Sequence, residues 1–421
     1  MRLRVVVAIG IVALVLNSAW AGGDGKTIIV KLKQGGSIRS VNKNNGTETV
    51  AQIPNTSIYL VRAAGDSSKT LRQLRRDSTV EAVEINHQFR LTSGLVQGAV
   101  SFLDGQTLTS FNGAAVLKSY AEQPAVRVIR ADGVRQFSTG AGTRVGFMDT
   151  GADFHHPALR PWLEEGVNLT STRTASELDG LSQGMVSFLD QGGISFLDPA
   201  QVSFLDGATS LKYLGHGTLV AGLIHLVAPD ARLVPIKAFN ASGDTTLFTI
   251  IGGVYWAMDH DLDVLNLSFS IDEDSEILHK AIDQARAAGT VVVAAAGNDG
   301  RERRDVYPAG WGNVHGVAAT DLNDRLASFS NYGKCVTVTA PGTGLVSTFP
   351  GGKYAVVWGT SFSTPLVSGA VALIASSRGF GQSDAAAVVT TADPIDGLNP
   401  GFERKLGKGR INVQQALKSR K

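Results

Sequence analysis

The chain has a single cysteine, Cys335, among 421 residues. It can close no disulfide within itself and build no cysteine-based zinc site of the usual kind. Its stability must therefore come from an apolar core or from bound ions. An excess of one charge sign is also missing: 39 Lys+Arg stand against 37 Asp+Glu, a net charge of +2. That balance argues against a nucleic-acid-binding protein, which ordinarily carries a strong basic bias. Apolar stretches long enough to span a bilayer are lacking as well. Val5–Leu16 is an apolar run of 12 residues, short of the ~20 that a spanning helix needs. Charged residues make up 18% and hydrophobic ones 43%, so disorder is not the default. The 48 glycines follow no three-residue period, which excludes collagen and leaves tight turns as their use.

What is present is unevenly distributed. Residues 1–21 carry Arg2 and Arg4, the apolar run and Ala19-Trp20-Ala21, the order of a secretory signal peptide with its cleavage site. No stable membrane anchor is expected, and the protein is expected to be secreted. Residues 22–100 hold 11 basic and 6 acidic side chains, +5; residues 101–421 hold 26 and 31, −5. The last 21 residues are basic, with seven Lys and Arg against Glu403, and read as a solvated final helix and tail.

Residues 22–91 read as a small α/β domain, with strands at 27–33, 48–53, 57–62 and 80–85 and a helix at 69–76. Residues 92–118, rich in Gly, Ser, Thr and Gln, read as a linker and processing region. From 119 to 421 apolar β-branched runs (145–148, 233–236, 264–267, 291–295, 336–338) alternate with helical patterns (219–225, 245–259, 275–288, 363–376). This predicts an α/β fold, a mostly parallel sheet with helices on both faces. Functional groups in such folds gather at the carboxyl ends of strands.

Three segments set a reactive side chain beside glycine at a strand end or helix start. Val145-Gly-Phe-Met-Asp-Thr-Gly151 ends a strand on Asp149, Gly215-His-Gly-Thr opens a helix with His216, and Gly359-Thr-Ser-Phe-Ser-Thr-Pro365 places Ser361 near the start of another. Together they supply a nucleophile, a base and an orienting carboxylate. Ala294-Ala-Ala-Gly-Asn298 adds an amide able to donate to a developing oxyanion, with the Ser361 backbone N–H as second donor. Each piece alone is weak; all four, in this order and each at a strand–loop–helix junction, are specific.

With these motifs, residues 119–417 resemble the subtilisin-like serine proteases, the subtilases. Ala-Gly-Asn at 296–298, Tyr-Pro-Ala at 307–309, Ala-Ser-Phe-Ser-Asn-Tyr-Gly at 327–333, Thr-Ala-Pro-Gly at 339–342 and Gly-Lys-Gly-Arg-Ile-Asn at 407–412 extend the match. The resemblance implies a serine endopeptidase with Asp149 orienting, His216 as base and acid, Ser361 attacking and Asn298 in the oxyanion hole. It implies polypeptide substrates lying along Leu267, Ser268, Phe269 and Ser270 on one side and Ala295, Ala296 and Gly297 on the other. Phe269 is expected to shape a neighbouring pocket, and an apolar or aromatic P1 residue is expected. Residues 22–100 resemble the family's inhibitory propeptide, which would make the chain its own intramolecular inhibitor and chaperone. Gly35, Gly36, Asn44, Asn45 and Gly46 stand where that propeptide's first helix belongs, so this helix is not expected to be intact. Two readings from other classes stand beside the endopeptidase. One is a catalytically inactive peptide- or partner-binding scaffold, disfavoured by the intact constellation; the other is a non-proteolytic acyl hydrolase or transferase using the same triad, disfavoured because a small-ester hydrolase would need no peptide-pairing segment.

The chemistry needs no cofactor. Many relatives carry a tight calcium site with an Asp two residues after the Asp-x-x-His-His/Ser-His-Pro stretch, but Asp153-Phe-His-His-Pro157 is followed by Ala158-Leu159. Alanine cannot ligate a hard cation, so this site is expected to be absent, with other calcium sites left open. His155 and His156 adjoin in a turn and are not expected to share a metal. Cys335 is expected to be a buried inert thiol in a strand. An insertion at about 160–210 separates Asp149 from His216 and carries Val186-Ser-Phe-Leu-Asp190, Ile194-Ser-Phe-Leu-Asp198 and Val202-Ser-Phe-Leu-Asp206; a fourth copy is Val100-Ser-Phe-Leu-Asp104. Three readings stand for the repeat: an edge-strand element, a self-recognition sequence for processing, and neutral expansion.

Overall fold

A computed structural model of the chain describes residues 27–91, 101–102, 107–170, 213–376 and 382–419. The signal-peptide reading and the three tandem repeats lie outside them. The chain divides into two compact units, residues 1–87 and 88–421.

In the first unit, strands β1 (Thr27–Leu32), β2 (Thr47–Gln52), β3 (Ile58–Ala63) and β4 (Val80–Ile85) form an antiparallel sheet in the order β2-β3-β1-β4. Two helices, α1 (Ile38–Asn45) and α2 (Ser67–Leu74), complete it. Ile28, Val30, Leu32, Val41, Val61 and Leu74 make a common core. Helix α1 corrects the sequence expectation. Val41 is buried with Ile38 packed beside it on the same face, and Asn44-Asn45-Gly46 is the helix's stop rather than its absence. Gly46 takes the left-handed conformation (φ 63°) and donates its N–H to the Asn42 carbonyl, a glycine C-cap. Asp66 caps α2 by accepting from the Ser68 N–H at 2.8 Å.

The second unit begins with β5 (Gln88–Arg90), β6 (Ser101–Phe102) and the hairpin β7 (Leu108–Phe111)–β8 (Ala114–Leu117), followed by short helices α3 (Lys118–Ala121) and α4 (Pro124–Val128). Residues 108–117 are thus ordered structure, not linker: Phe111, Val116 and Leu117 sit in the large core of this unit.

Its main sheet has seven parallel strands: β9 (Arg144–Asp149), β10 (Val167–Asn168), β11 (Arg232–Lys237), β13 (Val264–Leu267), β14 (Val291–Ala295), β15 (His315–Thr320) and β16 (Val338–Pro341). Their order is β10-β11-β9-β13-β14-β15-β16. Every residue of β13 and β14 is buried, so both faces of the sheet are covered, as a parallel sheet requires. The cover includes α5 (His216–Val227), α6 (Leu247–Asp259), α7 (Glu276–Ala288) and α8 (Thr360–Ala375); α5 packs on α8 and α6 on α7. Strand β12 (Asp244–Thr246) pairs with β5, and the antiparallel hairpin β17 (Leu345–Phe349)–β18 (Lys353–Val357) carries β6 on its outer edge. Two expectations shift. The last sheet strand runs from Val338 rather than 336–338, which leaves Cys335 in the turn before it. Strand β15 was not anticipated, because His-Gly-Val-Ala-Ala-Thr is mostly small residues. Cys335 is free and fully buried, and burial pushes its thiol up to about 11, which keeps it protonated and unreactive at neutral pH.

His225, near the end of α5, is fully buried, with the Phe111 and Trp162 rings 5.4 and 5.8 Å away. Burial, then the nearby Arg135 charge, lowers its pKa to about 3 from 6.5. The unfolded chain takes up this proton as pH drops below 6.5 while the native state stays neutral. The group's contribution to stability is therefore complete above pH 6.5 and declines as pH falls toward 3. At pH 5 the decline is about 2 kcal/mol, at ~1.4 kcal/mol per pH unit. In urea titrations, His225→Leu should reduce the drop in unfolding free energy between pH 7 and pH 5 by that amount. An identical drop in both proteins would refute it.

Candidate active site

The carboxyl ends of β9, β13 and β14 lie side by side, with Asn266 opposite Phe147 and Leu267 opposite Ala294. Three polar or glycine-bearing segments therefore leave the sheet at one edge. Asp149, the last residue of β9, is fully buried, and its Oδ1 accepts from His216 Nδ1–H at 2.7 Å and from the Thr150 N–H at 2.8 Å. Since a carboxylate can only accept, Nδ1 carries the ring proton and Nε2 is left as the basic nitrogen.

His216 opens α5, and the neighbouring backbone fixes it there. A Cβ on Gly217 would come within 2.0 Å of the Gly151 carbonyl oxygen, so only glycine lets the helix start approach the turn after Asp149. The Gly217 N–H donates to Thr150 Oγ1 at 3.0 Å, and Thr218 Oγ1 accepts from the Asp153 N–H at 2.9 Å. Strand β17 holds the helix from outside: Ser347 Oγ donates to the Leu219 carbonyl at 2.6 Å and Thr348 Oγ1 to that of Thr218 at 2.8 Å.

Ser361 is the second residue of α8. Its Oγ donates to the Ser268 carbonyl at 2.9 Å, and the ring of the next residue, Phe362, lies 5.4 Å from the His216 ring. Pro365 sits four residues after Ser361 and has no N–H for the Ser361 carbonyl. Ser268 Oγ supplies the missing donor at 2.8 Å. Asn266 Nδ2 in turn donates to Ser268 Oγ at 2.9 Å, and Ser368 Oγ donates to Asn266 Oδ1 at 2.8 Å. A buried polar relay thus ties β13 to α8 and sets the height of Ser361 over the sheet. Sequence reasoning missed its members Asn266 and Ser368, and also Thr150, Thr218, Ser347 and Thr348. The available signal was polar residues inside otherwise apolar strand and helix runs, which a core does not need.

Asn298 follows β14 and is half-buried. Its Oδ1 accepts from the Thr360 N–H and from Thr360 Oγ1, both at 2.9 Å. The amide is thereby oriented with its NH₂ as the end left for a ligand. Ser268–Ser270 follows β13 directly, and Ala295 ends the neighbouring strand β14, with Ala296 and Gly297 following it. Gly297 has φ 92°, and a Cβ there would lie 2.6 Å from Asn331 Nδ2 and 3.2 Å from Ser270 Oγ, so the two segments face each other closely. Phe269 is 2% exposed and packs on Phe239 at 5.1 Å.

His156 is fully buried; its Nδ1 accepts the Ala158 N–H at 3.2 Å and its Nε2 donates to the Lys353 carbonyl at 3.0 Å. Both nitrogens are in use, which is a structural role. Among the described residues no group of three or more His, Cys, Asp or Glu side chains is placed to hold a metal ion.

Residues 140–409 match the model of the subtilase family, Peptidase S8, and residues 26–86 match the fervidolysin N-terminal prodomain. The chain belongs to the subtilase family. This subtilase is 32% identical over 299 residues to thermitase of Thermoactinomyces vulgaris, covering 69% of its own length and 93% of that protein. It is 29% identical over 413 residues to subtilisin NAT of Bacillus subtilis subsp. natto, covering 95% and 93%. To the thermophilic serine proteinase of Bacillus sp. strain AK1 it is 34% identical over 277 residues, 66% of this chain and 62% of that protein. Its enzyme class is that of serine endopeptidases, and its first unit is a fervidolysin-type prodomain.

Proposed function

We propose that this subtilase is a secreted endopeptidase that matures by its own cleavage and hydrolyses peptide bonds through Asp149, His216 and Ser361. The buried 2.7 Å contact between Asp149 and His216 carries the reading. In the reaction Ser361 Oγ leaves the Ser268 carbonyl by a turn about χ1 and attacks the substrate carbonyl carbon while His216 Nε2 takes its proton. Asp149 stabilises the imidazolium. The oxyanion accepts from Asn298 Nδ2 and the Ser361 N–H. His216 then protonates the leaving amine, the acyl–oxygen ester forms on Ser361, and water attacks it by the same route in reverse.

The substrate runs as an extended strand along Ser268–Ser270 and Ala295–Gly297, a β-augmentation geometry. Small residues on both sides, with no acidic side chain in either segment, support an apolar or aromatic P1 residue. The export signal at residues 1–21 supports secretion; no helix among the described residues is long and apolar enough to cross a membrane. The prodomain match supports release of residues 22 to about 88–118 by self-cleavage. Casein hydrolysis by the wild type but not by Ser361→Ala tests the reaction, and the N-terminal sequence of the mature protein reads the cut site and its P1 residue.

Asn298 gives a separate expectation. Asn298→Leu removes the side-chain donor but leaves the Ser361 N–H. It should lower kcat by about 10²–10³, the magnitude typical when such a donor is removed from a subtilisin, with KM little changed. A loss confined to KM would place Asn298 in ground-state binding instead.

A further inference from the structure

The two segments proposed to flank the P1 side chain carry no acid, but an acid follows each of them. Asp272 comes two residues after Ser270, and Asp299 two residues after Gly297. Asn331 brings Asp299 to the gap between the segments. It is fully buried; its Oδ1 accepts the Asp299 N–H at 3.0 Å, and its Nδ2 donates to the Ala296 carbonyl at 2.9 Å and to Asp299 Oδ2 at 3.1 Å. The same Nδ2 would stand 2.6 Å from a Cβ on Gly297, at the position that also faces Ser270 Oγ. One hydrogen bond therefore separates the Asp299 carboxylate from the gap. An unpaired carboxylate there would attract a lysine or arginine side chain.

Arg303 takes up that charge. Its backbone N–H donates to the Tyr332 carbonyl at 2.7 Å, which fixes where the side chain starts. The side chain is only 15% exposed and reaches both acids: Nη2 donates to Asp272 Oδ1 and to the Asp305 carbonyl, and Nη1 donates to Asp299 Oδ2 at 3.4 Å. A planar guanidinium fork can serve two carboxylates at once, which an ammonium does less well. The neighbouring charges are poorer candidates. Arg301 approaches Asp299 only to 3.7 Å from an exposed side chain, and Glu302 is engaged by Lys405 at 2.8 Å.

We propose that Arg303 is a specificity-determining residue: by holding Asp272 and Asp299 it keeps the P1 site free of net negative charge and so directs it to apolar rather than basic side chains. This deepens the P1 reading given above and rests on it.

The test is kcat/KM of the mature enzyme on peptide anilides that differ only at P1, with Phe, Lys or Glu there. Arg303→Gln should raise the Lys-to-Phe ratio about fivefold, the factor that a partly exposed charge pair can supply. In 1 M salt, where the screening length drops to about 3 Å, the rise should fall below about twofold. Adding Asp272→Asn and Asp299→Asn should bring the ratio back to within about twofold of wild type. The converse variant, Asp272→Asn with Asp299→Asn and Arg303 intact, should raise the Glu-to-Phe ratio by about fivefold, and it carries the test if Arg303→Gln does not fold. Equal losses on the Phe and Lys peptides in Arg303→Gln would make Arg303 a brace only and overturn the proposal. A rise that 1 M salt leaves intact, or no gain on the Glu peptide in the converse variant, would overturn it too. A wild type that cleaves none of the three peptides would instead overturn the endopeptidase reading beneath it.

Discussion

Ser361→Ala should lower kcat on casein by about 10⁶, the magnitude known for loss of the nucleophile in subtilisin. It should also leave the precursor as one uncut species that keeps its N-terminal unit. Both effects follow from one atom. Without Oγ no acyl-enzyme forms, and only the oxyanion donors and substrate binding remain to assist a water. The fold should survive, because Ser361 Oγ makes one hydrogen bond, to the Ser268 carbonyl, whereas the Ser361 carbonyl keeps its bond from Ser268 Oγ. The two readouts separate two ideas. A precursor that is still cut while casein is spared would assign maturation to another protease. Casein hydrolysis within tenfold of wild type would remove Ser361 from the chemistry.

Asp149→Ala should cost about 10⁴ in kcat, again the scale of the corresponding change in subtilisin. The contact it removes is short and fully buried, and it determines which His216 nitrogen is basic. Asp149→Asn should lose less. The Thr150 N–H donates to Oδ1 at 2.8 Å, which holds an oxygen rather than an NH₂ at that position and preserves the His216 tautomer. The asparagine protein then lacks only the charge that stabilises the imidazolium. Single-turnover rates on a chromogenic peptide order the three proteins. Asparagine losing as much as alanine would show that the Thr150 contact does not orient the amide.

The parallel sheet was legible because β9, β11, β13 and β14 are apolar, β-branched and buried on both faces, a pattern that reads directly as strand. Strand β15 was hidden because glycine and alanine fill it, and the small residues are what the crowding requires: a Cβ on Gly316 would stand 1.9 Å from the Cys335 carbonyl oxygen. Helix α1 was misread because a glycine C-cap and a helix break look alike in sequence; only the preceding Ile38 and Val41 facing the core distinguish them. In the site, Asp149, His216, Ser361 and Asn298 were legible as reactive types beside glycine. The positioning relay through Asn266, Ser268 and Ser368 was not, since it joins residues as much as 102 apart in sequence. The consequence of Pro365, a freed Ser361 carbonyl taken up by Ser268, depends on a tertiary contact.

Ser361 should be the one nucleophile of the mature protein, and His216 should make it so. Treatment with an organophosphorus fluoride followed by peptide mass mapping reads this most directly. One adduct per mature chain is expected, on Ser361, and none in His216→Ala. An adduct on another residue, or unchanged labelling of Ser361 in His216→Ala, would contradict it.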